Sequence, residues 1–196
     1  PEPLARTYKI GFWYDTKKFT DQLVDTNGLS LANPASNGIP AAHLGDWAIY
    51  ALADQLIWVD PEEGDRTINA FIRVMWTPLA EWNEIDYSMN AGLTFHEPIR
   101  HRDTDTMAIG MGYTHVSHRA SALDRDTQNF TGVFTPARGG ETYLEITYQM
   151  QVTPWLQLQP DFQYVFNPGG GVANPNDPGA RVGNEAVFGV RTNILF

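Results

Sequence analysis

Cysteine is absent from this 196-residue chain, which excludes disulfide bonds, thiolate metal sites and cysteine catalysis. Basic residues are scarce, with 13 lysines and arginines against 23 acidic residues, so no nucleic-acid partner is expected. No apolar run reaches the roughly 18 residues of a membrane-spanning helix. A helical membrane protein is therefore excluded. A membrane β-barrel is not, because its strands alternate polar and apolar residues and average to an ordinary hydropathy.

Charged residues are also few, at 18% of the chain, whereas Trp, Tyr and Phe together reach 12%. A typical soluble domain carries about 25% charged residues. This composition favours an outer-membrane barrel over a cytoplasmic enzyme, although a soluble all-β domain shares it. The chain starts at Pro1 rather than Met. We therefore expect either removal of its start by processing or a longer parent chain.

Period-two alternation dominates the sequence and predicts an all-β fold. In the clearest segment, Leu156, Leu158 and Phe162 alternate with glutamines and Asp161. The predicted strands are longer than the usual 5–6 residues. Their length, about 10–12 residues, is what a tilted strand needs to cross a bilayer. The eight predicted strands cover approximately residues 5–14, 47–58, 68–77, 85–95, 106–116, 141–152, 155–166 and 185–196, with a short helix within 117–126.

One strand is ambiguous, because Asp54 and Gln55 are adjacent and cannot both face inward on a regular strand. A β-bulge there would resolve the conflict. Aromatic residues cluster near the predicted strand ends, as an interfacial girdle requires. They are Trp13, Tyr14, Trp76, Trp155, Tyr164 and Phe166.

The predicted connections alternate in length along the chain. Residues 15–46, 117–140 and 167–184 form the longest connections, and they would share one end of the sheet with the shorter 78–84. Outer-membrane barrels have longer loops outside and short turns on the periplasmic side. We therefore expect these four connections to be extracellular and the C-terminus to be periplasmic. The shortness of 78–84 has no explanation in the sequence.

The chain ends in Phe196, which follows apolar residues at alternate positions of the last strand. This ending resembles the signal read by the outer-membrane assembly machinery, and it implies a natural C-terminus. Longer stretches resemble the carbohydrate-selective porin (OprB) family, most specifically WLQLQPDFQYV at 155–165. The others lie at 11–14, 54–55, 92–100, 102–106, 109–113, 141–152, 167–170 and 189–192.

The resemblance implies a transmembrane antiparallel up-and-down β-barrel of about sixteen strands. Residues 1–196 would then form the C-terminal half of one barrel domain in the bacterial outer membrane. An N-terminal half, in the same or a separate chain, would supply the missing strands, because an unpaired edge of this length is an aggregation site. The implied function is passive, carbohydrate-selective diffusion of mono- or oligosaccharides, without enzymatic activity or cofactor.

If the apolar faces meet lipid, the opposite faces line a water-filled lumen. Amides, carboxylates and guanidinium groups there can exchange hydrogen bonds with sugar hydroxyls, and Tyr143 or Trp13 could stack on a sugar ring. Each of these groups could instead only solvate or cross-link the wall, which is the expectation for any single Gln, and the charged groups could pair with each other. The candidates for solute contact are Arg73, Arg191, Glu145, Asp161, Tyr143, Gln149, Gln157, Gln159 and Gln163. The wider inward set adds Lys9, Asp86, Asn90, Glu141, Gln151, Glu185 and Asn193.

Two other architectures stay open. A small closed eight-stranded barrel with a structural or adhesive role would pair strands 5–14 and 185–196 directly. A soluble ligand-binding barrel would instead bury Phe162, Leu144 and Phe188 together inside. His115 and His118 lack a third metal ligand of suitable spacing. The aspartate pairs Asp103/Asp105 and Asp124/Asp126 could bind calcium but fit acidic turns better, so no metal is predicted. The oligomeric state stays undetermined.

Overall fold

A computed structural model describes residues 6–62 and 64–196. Eight strands form one antiparallel sheet in which chain neighbours pair with each other in sequence order. They are β1 (Arg6–Asp25), β2 (Pro40–Val59), β3 (Thr67–Trp76), β4 (Ile85–His96), β5 (Thr106–Val116), β6 (Gly140–Thr153), β7 (Leu156–Phe166) and β10 (Glu185–Ile194). A separate hairpin pairs β8 (Ala173–Asn174) with β9 (Asp177–Arg181). The helices are α1 (His118–Thr131) and the single turn α2 (Pro168–Gly171).

All eight predicted strands are present, but the first two were predicted too short. The prediction of a loop over 15–46 is wrong, because β1 continues to Asp25 and β2 already begins at Pro40. Backbone pairing persists there through register shifts after Asp15 and after Thr20. The extension has polar residues on both sides, so it lacks the hydrophobic alternation from which strands are predicted. Residue 5 of the first predicted strand lies outside the described residues.

The pairing register sorts the side chains of the eight strands into two faces. One, the apolar face, carries aliphatic and aromatic residues on every strand. Its members include Ile10, Phe12, Ile49, Ile72, Ile109, Leu144, Ile146, Phe162, Phe188 and Val190. Phe188 is 79% exposed and Leu144 is 47% exposed, although Phe162 and Phe188 contact each other. The soluble-barrel alternative is therefore not favoured, because these residues do not form a dry centre in the described part of the chain.

The sheet is open in the described part of the chain. Strand β1 pairs only with β2, and β10 pairs only with β7, so the two edge strands do not meet. The small closed barrel required direct pairing between these two strands. That alternative is therefore not supported, and an incomplete barrel wall is the better description.

The ambiguity at Asp54 and Gln55 is resolved without a bulge between them. They pair regularly with Phe71 and Ala70, so they point to opposite faces. Gln55 lies on the apolar face, where the Tyr8 hydroxyl donates to its Oε1 at 2.8 Å. The register shift comes later, between Leu56 and Trp58.

Four connections lie at one end of the sheet, here called the long-loop end: 26–39, 77–84, 117–139 and 167–184. Helix α1 lies in the third of these, so the predicted short helix is confirmed and extends further than expected. Ser117 caps its first turn by accepting a hydrogen bond from the Ala120 N–H, and Gly132 ends it in the left-handed conformation. None of the helices in 6–62 and 64–196 is long and apolar enough to cross a membrane.

The short 77–84 connection supports α1. The Ser117 N–H donates to the Glu84 carbonyl at 2.7 Å, and Ala80 is 4% exposed. Arg138 binds both Asp124 of the helix and Glu84. The length of 77–84, unexplained by the sequence, thus fits its position beneath the helix.

Candidate functional site

The face opposite the apolar one, here called the polar face, carries all nine predicted lumen residues. The register places Tyr143, Glu145 and Gln149 on this face of β6, and the alternate residues of β7 point to the same side. Arg191 of β10 pairs with Gln159, and Arg73 of β3 pairs with Asn90. The remaining predicted residues on this face are Gln157, Asp161 and Gln163.

The central strands bring some of these residues together in a shallow pocket. Arg73, Tyr143 and Glu145 line it with Phe71, Asn90 and Thr147. The Tyr143 hydroxyl donates to Asn90 Oδ1 at 2.8 Å, and Gln163 donates to Glu145 Oε2 at 3.3 Å. The pocket volume of about 170 Å³ is well below the roughly 300–1,000 Å³ of sites that retain a drug-sized ligand. This geometry suits brief contacts rather than tight binding.

A second group of amides lies nearer the opposite end of the sheet, where a short turn joins β6 to β7. Asn193 donates to Gln157 Oε1 at 2.8 Å, and Gln157 donates to Gln151 Oε1 at 3.4 Å. Gln159 donates to the Thr147 hydroxyl oxygen at 3.0 Å. These contacts join β6, β7 and β10 by side-chain hydrogen bonds, so the amides cross-link the sheet as well as lining it.

The carboxylate neighbour of Arg73 is not one of the other predicted lumen residues. Its carboxylate neighbour is Asp54 on β2, at 3.7 Å between Nη2 and Oδ1, and not Glu145 or Asp161. The predicted lumen residues did not include Asp54, because the adjacent Gln55 left open which of the two residues faces the lumen. They also did not include Phe71, whose ring lies 5.0 Å from the Arg73 guanidinium carbon.

Glycines make room for the rings of the polar face. An added Cβ at Gly92 would lie 2.8 Å from the Phe71 ring, and one at Gly112 would collide with Tyr143. Both glycines lie on the polar face of neighbouring strands, so their missing side chains let these rings lie against the backbone. The sequence signal for this arrangement is a set of glycines at polar-face positions, Gly92 on β4 and Gly110 and Gly112 on β5.

Comparison with known proteins gives a consistent result. The family model described as "Carbohydrate-selective porin, OprB family" matches residues 1–196. The chain belongs to the OprB family of carbohydrate-selective porins. It is 23% identical over 202 residues to Porin B of Pseudomonas aeruginosa, covering 100% of this chain and 42% of that protein. It also matches the high-pH structure of Pseudomonas putida OprB, at 22% identity and a TM-score of 0.84.

The structural match covers 97% of this chain and 44% of the Pseudomonas putida chain. The OprB-family chain thus spans less than half the length of the relatives that it matches, in agreement with the open sheet. At this identity the likeness establishes the fold, an antiparallel up-and-down barrel wall of which eight strands are present.

At the long-loop end of this OprB-family chain, α1 contacts the extension of β1 through a buried carboxylate. Asp21, whose side chain is 1% exposed, accepts hydrogen bonds from Arg119 at 3.2 Å and contacts His43 Nε2 at 2.8 Å. The His43 ring stacks on Trp82 of the 77–84 connection, with 4.3 Å between centroids. Since β1 and β5 are four strands apart in the sheet order, this cluster ties α1 to a distant strand.

We expect Asp21→Asn to loosen the docking of α1. Burial raises the pKa of Asp21, but the N–H groups of Val24 and Leu23 and the neighbours His43 and Arg119 lower it below its ordinary value. A depressed folded-state pKa means that the charged form stabilises the fold above the ordinary value of 3.8. That stabilisation is lost as the pH falls through the lower folded-state pKa.

Hydrogen exchange across 118–131 checks this prediction. Losing a charged acceptor for Arg119 costs about 1–3 kcal/mol locally, so exchange in the helix should accelerate roughly 5- to 150-fold at neutral pH. Asp126→Asn removes a carboxylate from the same helix and is the control. Equal exchange in the two variants contradicts the anchoring role of Asp21.

Proposed function

We propose that this chain is the C-terminal part of an outer-membrane porin that lets sugars diffuse passively through a water-filled barrel. The observation that carries the proposal is the segregation of the two faces across all eight strands. An apolar face that stays exposed needs an apolar solvent, and acyl chains supply it. The polar face then borders water, and β1 and β10 each leave an edge for the remaining strands of a barrel of about sixteen.

Aromatic residues near the long-loop end support a membrane boundary there. Tyr14 pairs with Trp47, and Trp76 pairs with Tyr87, which lies 6.3 Å from the ring of Tyr113. These residues form a row across five strands of the apolar face. Such rows lie at the level of the lipid headgroups in membrane barrels. Trp47 and Tyr87 extend the girdle expected from the sequence.

The polar face supports passage of neutral sugars by its mixture of donors and acceptors. We assign solute contact to the pocket members Arg73, Tyr143 and Glu145 first. The amides and charges further along the wall follow: Gln149, Gln157, Gln159, Gln163, Asp161 and Arg191. Sugar hydroxyls both donate and accept, so a row of weak partners can exchange hydrogen bonds as water is shed. Weak, repeated contacts permit exit as readily as entry. No enzymatic step or cofactor is part of this proposal.

Liposome swelling with the complete protein tests the proposed function. Vesicles containing it should swell in isotonic solutions of mono- and disaccharides, whereas protein-free vesicles should not. A planar-bilayer recording of the same preparation establishes that channels are present. Ion-conducting channels without any sugar flux would falsify the proposal.

We expect Glu145→Gln to lower the permeability of the channel to cations relative to anions. The carboxylate lines the pocket of the polar face, so its removal lowers the local concentration of cations. The reversal potential in a KCl gradient should shift toward anions, by roughly a twofold change in permeability ratio at low salt. Glu62→Gln, which removes the same charge from an exposed turn, is the control. An equal shift in both variants contradicts a wall position for Glu145.

A further inference from the structure

The Arg73 side chain extends from the centre of β3 and is 57% exposed. Two neighbouring side chains bear on the position of its guanidinium. One is the Phe71 ring, whose centroid lies 5.0 Å from Cζ, within the range of a cation–π contact. The other is Asp54, at 3.7 Å, which is beyond hydrogen-bond length. An ion pair this long and this exposed does little to fix a flexible side chain.

Phe71 lies close against two neighbouring strands of the sheet. It shares the polar face with Arg73, two residues along β3, and lies over Gly92 of β4 and Gly110 of β5. A Cβ at Gly92 would be 2.8 Å from two ring carbons and 2.5 Å from the Ile109 carbonyl oxygen. Neither glycine has a positive φ, so their value here is space rather than backbone conformation. The glycines let the ring lie close to the sheet.

We infer that Phe71 is the positioning residue for Arg73, and that it holds the guanidinium over the pocket of the polar face. This inference rests on the proposed function and deepens it. The planar guanidinium lies over the ring, which keeps its donors in one place on the wall of the pocket that Asn90 and Glu145 also line. A passing neutral sugar then meets a fixed donor group. Because the ring lies against the glycines, this arrangement takes little width from the channel.

The ionic charge of Arg73 and its position can be separated by experiment. Phe71→Leu keeps an apolar residue and the charge of Arg73 but removes the stacking surface. Phe71→Trp restores a ring, and Arg73→Lys keeps the charge without the planar group. Phe12→Leu is the control, since it makes the same change from Phe to Leu on the apolar face, away from the pocket. All variants are made in the complete protein.

The first measurement is the sugar concentration that half-blocks the ion current of single channels. Phe71→Leu and Arg73→Lys should each raise it roughly 2- to 5-fold, as expected for loss of an exposed cation–π contact. The double variant should be no worse than either single one, because both remove the same arrangement. Phe71→Trp and Phe12→Leu should match the parent, and ion selectivity should change little throughout. Additive losses, or an unchanged block in Phe71→Leu, overturn the inference.

The second measurement does not depend on sugar. The Nε–Hε order parameter of Arg73, from NMR relaxation in detergent, should be near the rigid range in the parent and below about 0.6 in Phe71→Leu. If the parent conducts ions but sugar neither blocks nor crosses, the proposed function fails while this measurement still decides the positioning. A mobile Arg73 in the parent overturns the inference even where sugar passes.

Discussion

Asp105→Ala is expected to destabilise the folded protein by about 2–4 kcal/mol, because it leaves several partly buried donors without their buried acceptor. Asp105 is 1% exposed and follows the short turn between β4 and β5. It binds Arg102, accepts from the Tyr148 hydroxyl at 2.6 Å and accepts from the Gln151 N–H at 3.0 Å. One carboxylate thus ties this turn to β6. Arg102 is partly exposed and can turn to water, so the expected loss stays below that of a fully buried ion pair.

The matched control is Asp103→Ala, which removes an exposed carboxylate from the same turn. Equilibrium unfolding in urea with a lipid or detergent host measures both variants. Burial raises the pKa of Asp105, but Arg102, Tyr148 and the Gln151 N–H lower it below the ordinary value of 3.8. Above pH 3.8 the Asp105 carboxylate therefore contributes its full stabilisation of the fold. This stabilisation is lost as the pH falls through the lower folded-state pKa. Similar stabilities of the two variants at pH 7 would contradict this role.

Ile146→Arg is expected to destabilise the membrane-inserted protein by about 2–4 kcal/mol, the cost of an arginine facing lipid near the middle of a bilayer. Ile146 lies at the centre of β6, is 46% exposed and pairs with Ile109 and Phe162. In the proposed orientation its side chain contacts acyl chains. The same substitution in water would cost little, because an exposed arginine is well solvated.

The control is one residue away. Thr147→Arg places the same group on the polar face, where water reaches it, so we expect a loss of about 1 kcal/mol from two side-chain hydrogen bonds. Unfolding in phospholipid vesicles compares the two variants directly. If Thr147→Arg is the more destabilising of the pair, the two faces have been assigned to the wrong solvents.

Much of the fold could be predicted from the sequence because a side-chain period of two is a local property. Alternation in 141–152 and 155–166 was enough to assign each residue of β6 and β7 to a face, and the structure keeps those assignments. The extensions of β1 and β2 could not be predicted, because their residues are polar on both sides and the pairing is carried by the backbone.

The candidate site could also be predicted only in part from the sequence. Arg73, Tyr143 and Glu145 could be assigned to one face from alternation, but not to one pocket, since that depends on how β3, β4, β5 and β6 align. A shift of a strand by one residue would have moved every side chain to the other face. Asp54 and Gln55 illustrate the limit: the sequence showed a conflict, and only the pairing with β3 decided it.

A two-faced, all-β chain could be predicted from hydrophobic alternation, because alternation is a property of each single strand. Only the folded arrangement shows that Asp21 joins α1 to β1 and that Phe71 lies under Arg73. These contacts depend on cross-strand register and on where loops return, and both are set by packing between segments far apart in the chain.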